Sequence, residues 1–355
     1  MKTIASLFAA VGLLVSAALP ARADVHLQGG GATFPAPIYQ RWVTEYQKAH
    51  PGVLIDYQAI GSGGGIKGIT QKTFDFAGSD APMNKKEIQA VGGPDAIVEI
   101  PTVAGAVVLA YNLPNFQGPL NLDGPVTAEI YLGDVKTWND PKIAALNPGV
   151  ALPNLPITTV HRTDGSGTNF IFTSFLTTQS PAFANKVGSG KAVEWPVGTG
   201  GPQNAGVTQI VKATPGAIGY IELAYAKQNQ VPYAQLKNKS GKFVEATIEA
   251  VSLAGEGAVE HMKGTELAAN IWDQPGEKAY PIASFTYIIV YKDLGYLKDE
   301  NKAKALAEFL RWATTDGQKL AGDLDYAPLS PGVQKKVEAA LDTLTWGGKP
   351  VALAK

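Results

Sequence analysis

Apolar and polar residues along this chain follow two periods that alternate repeatedly. Val53, Ile55, Tyr57 and Ala59 recur at period two, which predicts a strand running up to Gly61-Ser62-Gly63-Gly64-Gly65. Ahead of it, Ile38, Trp42, Val43 and Tyr46 share one face of a helix. Pro35 marks its start, because the fixed φ of proline suits a first turn. Two continuous apolar runs, Val103 to Leu113 and Ala283 to Tyr291, read as buried strands. Leu306, Phe309, Leu310 and Ala313 repeat at i, i+3, i+4 and i+7, so residues 301–314 are expected as an amphipathic helix. Alternating strand and helix patterns point to an α/β fold. Pro and Gly clusters at 114–125, 147–156 and 195–206 read as loops. The lysine-dotted stretch 234–265 has little periodicity after Leu236 and reads as peripheral elements with a solvated face.

The N-terminus changes this picture. Lys2, the apolar run from Ile4 to Leu19 and Ala21-Arg22-Ala23 form the pattern of a secretory signal peptide, residues 1–23, with cleavage expected after Ala23. No later segment has the apolar length to span a bilayer. The chain has no cysteine, which excludes disulfides, thiolate metal sites and a lipidated cysteine anchor. An exported, unanchored, cysteine-free chain fits the periplasm. The four histidines, His26, His50, His161 and His261, show no ligand spacing, so no metal is expected. The formal net charge is −1 over the whole chain and becomes more negative once Lys2 and Arg22 leave with the leader. A basic surface for nucleic acid is therefore not expected, and any anion must be held by a local constellation. The 355-residue length makes two domains the default.

The candidate chemistry sits at 162–168, Arg-Thr-Asp-Gly-Ser-Gly-Thr, which leads into the helical run Asn169 to Leu176. A helix start has unpaired N–H groups and the positive end of the dipole, so it attracts anions. Gly165 and Gly167 allow close approach, Ser166 and Thr168 bring hydroxyls, and Arg162 adds a planar cationic fork. Gly31-Ala32-Thr33-Phe34-Pro35 and the 61–65 turn have the same design, so three hydroxyl-bearing turns feed helices. Convergence on one tetrahedral oxyanion is one reading of these turns, and three independent caps are the other. Gly63, Gly65 and Gly68 also match GxGxxG after a strand, but Asp75 and Asp80 come too early for a ribose contact. No GxxxxGK[ST] occurs, and neither Ser62 nor Ser166 stands in GxSxG.

The stretches GATFPAPIY (31–39), QAIGSGGGIKGI (58–69), DFAGSDAP (75–82), HRTDGSGTNFIFTSFL (161–176), PGAIGYIELAYAKQN (215–229) and DLDYAPL (323–329) resemble the periplasmic phosphate-binding proteins of phosphate-specific ABC transporters. The resemblance covers nearly all of the chain after the leader. It implies a two-lobed, Venus-flytrap α/β fold with two chain crossovers: residues 24–102 and 276–355 in lobe I, and 103–275 in lobe II. It also implies phosphate contacts from the Thr33 and Phe34 backbone, Ser62 and Asp80 on one lobe, and from Arg162, Ser166, Gly167 and Thr168 on the other. Asp164 would pair with Arg162. Inorganic phosphate is the implied ligand, and the implied partners are the membrane permease and ATPase subunits of an importer. No cofactor and no catalysis are implied. The family often has a second Ser after the one at 62 and a second Arg before the one at 162, where this chain has Gly63 and His161.

Asp80 has a chemical rationale in an anion site. An ionised carboxylate only accepts hydrogen bonds, and phosphate near neutral pH still has a proton to give, whereas sulfate has none. Asp80 can thus reject sulfate by repulsion and an unmet hydrogen bond. Its alternative role is a turn cap in Gly78-Ser79-Asp80-Ala81-Pro82. Two other functions remain open on the residues alone. One is a secreted phosphate-ester hydrolase with Ser166 or Ser62 as nucleophile, although only His161 lies near either in sequence. The other is a binder of another oxyanion on the same fold, against which Asp80 argues.

Overall fold

A computed structural model describes residues 25–264 and 266–351. The expected signal peptide and its cleavage site lie outside the described residues. Eight strands form one curled sheet: Val25–Gly31 (β1), Val53–Ala59 (β2), Phe76–Ser79 (β3), Ile97–Tyr111 (β4), Thr158–Arg162 (β5), Thr199–Gly201 (β6), Ala217–Glu222 (β7) and Ala283–Tyr291 (β8). Their spatial order is β2-β1-β3-β8-β4-β7-β5-β6. At one end β1 runs parallel to β2 and β3, and at the other β5 runs parallel to β6 and β7. The antiparallel pair β4–β8 joins these two parallel sets, β8 pairing with β3 and β4 with β7. Each set is the sheet of one lobe. In parallel α/β sheets ligands bind outside the carboxyl ends of the strands, and here those ends face one cleft.

The central pair is buried along both strands, as expected of a sheet covered on both faces. β4 begins at Ile97, earlier than the apolar run from Val103 suggests, because the neighbouring β8 is long enough to pair with Ile97–Pro101. The ladder slips between Thr286 and Tyr287, leaving Thr102 as the extra residue between Pro101 and Val103. A proline fits beside such a bulge because it has no N–H to offer the ladder.

Helix Ala36–Ala49 (α1) buries Ile38, Trp42 and Tyr46, and Trp42 Nε1 donates to Gly317 O at 2.7 Å. Helix Glu300–Thr314 is capped by Asp299, whose side chain accepts from Asn301 N at 2.8 Å. Its predicted stripe of Leu306, Phe309, Leu310 and Ala313 is buried, and each large side chain on it contributes about 1.5–3 kcal/mol.

Three expectations need correction. The 195–206 segment is not simply a loop, since it contains β6 and the start of helix Gln203–Ala213. The 234–265 stretch is not wholly peripheral, because helix Ile248–Gly255 buries Ala250, Val251 and Ala254 against the sheet. In helix Ser62–Thr70 (α2) the glycines belong to the helix rather than to a turn ahead of it. A Cβ on Gly65 would come within 2.7 Å of Gly31 Cα and Gly78 O, so this GxGxxG lets a helix lie close on β1 and β3. That role replaces the dinucleotide turn.

Candidate functional site

The carboxyl ends of six strands deliver the site. Thr33 and Phe34 follow β1, Ser62 follows β2, and Asp80 follows β3. On the facing wall Arg162 ends β5, Asn204 follows β6, and Glu222 ends β7. Ser166, Gly167 and Thr168 begin helix Gly167–Gln179 (α3), where the Ser166 side chain is the cap and accepts from Asn169 N at 3.0 Å. All of Thr33, Phe34, Ser62, Asp80, Arg162, Ser166, Gly167 and Thr168 are buried.

The structure brings the three turns together through direct bonds between the walls. Gly63 N donates to Gly165 O at 2.8 Å, joining the start of α2 to the turn before α3. The Ser62 hydroxyl accepts from Gly167 N across the cleft at 3.1 Å and from Asp80 N at 3.2 Å. The Gly167 N–H thus meets Ser62. The carbonyls of Thr33 and Phe34 accept from the hydroxyls of Tyr225 and Tyr326, both at 2.6 Å, which holds the first turn in place.

Arg162 is an almost fully buried cation. Its Nε and Nη2 donate to the two carboxylate oxygens of Asp164 at 2.8 and 2.5 Å. Burial opposes the charge on Asp164, but the guanidinium outweighs it and holds the carboxyl below its ordinary range. Gln203 N adds a hydrogen bond to Asp164 at 2.9 Å. Arg162 Nη1 is buried without a hydrogen-bond partner among the described residues. A buried cationic N–H left in this state is costly unless an acceptor reaches it.

Among the described residues no cation is bonded to Asp80. Thr286 Oγ1 on β8 donates to its Oδ1 at 2.8 Å, and Ser62 Oγ lies 3.4 Å from its Oδ2. Burial dominates and pushes the carboxyl up to about 7 against the opposing pull of Thr286, Arg162 and Ser62. Glu222 is raised well above its ordinary value, again by burial. Its Oε2 accepts from Ala224 N and lies 3.2 Å from the Tyr326 hydroxyl, whose proton goes to Phe34 O, and its Oε1 has no partner among the described residues.

The residue pattern missed two contributors. Asn204 stands on a fourth helix start, concealed in what reads as a loop, and Thr286 sits inside the apolar β8 run. Glycines at 200, 201 and 206 around Pro202 were the available signal for the first, whereas Thr286 reads as an ordinary strand former. His161, the only histidine near either candidate nucleophile in sequence, stacks on Trp195 and hydrogen bonds through Nδ1 to Arg162 O at 3.3 Å. Among the described residues no cluster of acids and histidines could hold a metal ion, and no helix is long and apolar enough to cross a membrane.

A family model described as a PBP superfamily domain matches residues 16–316. The phosphate-binding protein PstS of Haemophilus influenzae is 40% identical over 332 residues, 93% of this chain and 97% of the relative. The phosphate-binding protein PstS of Xylella fastidiosa is also 40% identical, over 89% of this chain and 85% of the relative. Among solved structures, a phosphate-binding protein from Stenotrophomonas maltophilia superposes with a TM-score of 0.68 at 20% identity, covering 93% of this chain and 98% of that one. At that identity the superposition speaks for the two-lobed fold.

Proposed function

The chain belongs to the PBP superfamily and, within it, to the family of the phosphate-binding proteins PstS, and on that premise we propose that it binds one inorganic phosphate between its lobes and delivers it to an ABC-type importer. The observation that carries this reading is Arg162 Nη1, a buried cationic donor without an acceptor among the described residues, amid the starts of α1, α2 and α3. The surrounding hydroxyls add donors. Thr33, Ser166 and Thr168 each accept from a protein N–H, which leaves their own protons to be given away, while Ser62 accepts from Gly167 N and has Asp80 Oδ2 at 3.4 Å as an alternative acceptor for its proton. A tetrahedral oxyanion consists of acceptors and suits such a set. Above about pH 7, where Asp80 is ionised, it then supplies the one acceptor that a protonated phosphate oxygen requires and sulfate cannot use.

In this reading the ligand contacts are Thr33, Phe34, Ser62, Asp80, Arg162, Ser166, Gly167 and Thr168, the Gly167 N–H exchanging Ser62 for the anion, and Asp164 tempers the arginine. The protein works in the periplasm after removal of residues 1–23. Its partners are the permease and ATPase subunits, and it carries out no catalysis. Lobe I comprises residues 24–102 and 276–355, lobe II comprises 103–275, and the hinges lie near 102 and 276. The ladder slip at Thr102 supports the first hinge, since a bulge is where a strand bends most readily. Phosphate bridges the two walls and so favours closure.

Calorimetry on protein stripped of anions tests the reading. One site at about 1 µM or tighter is expected, with no release of p-nitrophenol from p-nitrophenyl phosphate. The absence of any heat up to millimolar phosphate sinks it, and steady ester hydrolysis by pure protein transfers the case to the hydrolase alternative. Small-angle scattering with and without phosphate checks closure, and identical profiles argue against hinges at 102 and 276.

A further inference from the structure

We infer that Asn204 is a positioning residue of the site, which turns two hydroxyl protons, one on each wall, away from the protein and towards the bound anion. The inference rests on the phosphate-binding reading and extends it to a residue outside the ligand set.

The neighbours of the Asn204 amide fix which of its atoms is which. The backbone N–H of Glu222 can only donate, and it reaches one amide atom of Asn204 at 3.0 Å. That atom must be Oδ1, so the atom on the other side is Nδ2, which has two protons and no acceptor capacity. Nδ2 lies 2.8 Å from Thr33 Oγ1 and 3.2 Å from Thr168 Oγ1. Both hydroxyls must therefore accept from it. Thr33 Oγ1 also accepts from the backbone N–H of Asn204 at 3.3 Å, which engages its second lone pair. Its proton is then the only hydrogen-bonding capacity it has left. One fully buried amide, with its backbone N–H, thus makes the Thr33 hydroxyl a fixed donor and occupies one lone pair of Thr168, turning its proton away from the amide.

Asn204 also connects the two walls, because Thr33 follows β1 and Thr168 opens α3. The amide is anchored to β7 through Glu222 N, so it reports the position of lobe II to a side chain of lobe I. Hydroxyls fixed in this way need no reorientation when an anion arrives, which is the physical content of preorganisation.

The experiment is a coupling cycle. Phosphate affinity is measured by calorimetry for wild type, Asn204→Ala, the Thr33→Val/Thr168→Val pair, and the triple variant, with thermal melting of each as a check on folding. Asn204→Ala is expected to weaken phosphate about 10- to 100-fold in the wild-type background. In the background lacking both hydroxyls the same change should cost less than about 3-fold, because there is no proton left to aim. An equal loss in both backgrounds overturns the inference and makes Asn204 a helix-start packing residue, as does no loss in the first. If the triple variant does not fold, Asn204→Ala combined with Thr33→Val alone reads the same coupling. Wild type that binds no phosphate removes the function itself, whereas wild type that binds with additive variants removes only the role of Asn204.

Discussion

The two walls of the cleft each hold a buried or half-buried carboxylate, and they treat it in opposite ways. On the β5 side Asp164 is clasped by the arginine fork and stays below its ordinary range. On the β3 side Asp80 has only the Thr286 and Ser62 hydroxyls and Asp80 rises to about 7. The Arg162–Asp164 pair is close to neutral, so the wall that bears the cation attracts an anion mainly through oriented N–H and O–H dipoles. The opposite wall presents an acceptor that discriminates. Attraction and selection are thus placed on different elements, and each can be removed separately.

The largest effect is expected from Arg162→Met. The change removes the cation and the buried Nη1 donor from the site, and truncating a hydrogen-bonded charge at a binding surface costs about 2–5 kcal/mol of affinity. Phosphate affinity should fall by roughly two to three orders of magnitude, and sulfate should not recover it. Arg162→Lys keeps the charge but not the fork, so it should lie between the two. Calorimetry on all three proteins checks this, and Arg162→Met within a few-fold of wild type contradicts the role of the arginine.

Asp80→Asn addresses the other wall. The amide keeps the size, can donate, and carries no charge, so sulfate should gain about 10- to 100-fold from the relief of one unmet hydrogen bond and one repulsion. Phosphate loses an acceptor and a repulsion together and should change much less. If the variant still discriminates against sulfate as strongly as wild type, Asp80 is a turn residue and selection lies elsewhere.

The same asymmetry has a pH signature. A carboxyl raised in the folded protein holds a proton that the unfolded chain has already released, so folding takes up protons across that window. Asp80, displaced from 3.8 to about 7, therefore contributes stability at low pH that fades as the pH rises from about 4 to 7. Glu99, which accepts from Met83 N and is also pushed by burial to about 7, acts in the same direction. Melting of phosphate-free protein should show stability falling towards neutral pH, and Asp80→Asn should flatten part of that slope. An unchanged slope in the variant would mean that Asp80 is ionised throughout.

The legibility of these two walls differed in the sequence. The turns at 31–35, 61–65 and 162–168 stand out because glycine, hydroxyl and helix pattern coincide within a few residues, and they lie in three of the six stretches that carry the resemblance. The α/β order and the β8 run were readable from periodicity alone. Asn204 was not, because β6 is only three residues long and Pro202 gives the segment the composition of a loop. Thr286 was hidden for a different reason. Its hydroxyl reaches Asp80 from a strand more than two hundred positions away, and no local pattern encodes a pairing that the sheet order creates.

The smallest expected effect probes how the walls are held together at their margin. Lys191 Nζ lies 2.8 Å from Glu87 Oε2, an ion pair between the two walls with both side chains partly buried. Glu87 also closes the capping box of helix Lys85–Ala90 by accepting from Asn84 N, so its position is fixed before Lys191 arrives. A backbone bond already joins the walls nearby, from Gly63 N to Gly165 O at 2.8 Å, and within its own wall Lys191 is held by Ser166 N, which donates to Lys191 O at 2.8 Å. The ion pair therefore adds to a closure that other contacts specify. A partly exposed pair of this kind is worth about 0.2–1 kcal/mol, so Lys191→Met should accelerate phosphate dissociation only about 2- to 5-fold. Association should be nearly unchanged, and the difference between the two proteins should shrink as salt rises. Stopped-flow displacement of phosphate at low and high ionic strength measures both terms. A slower dissociation in Lys191→Met, or a ratio indifferent to salt, would show that the lysine does not act through its charge on Glu87.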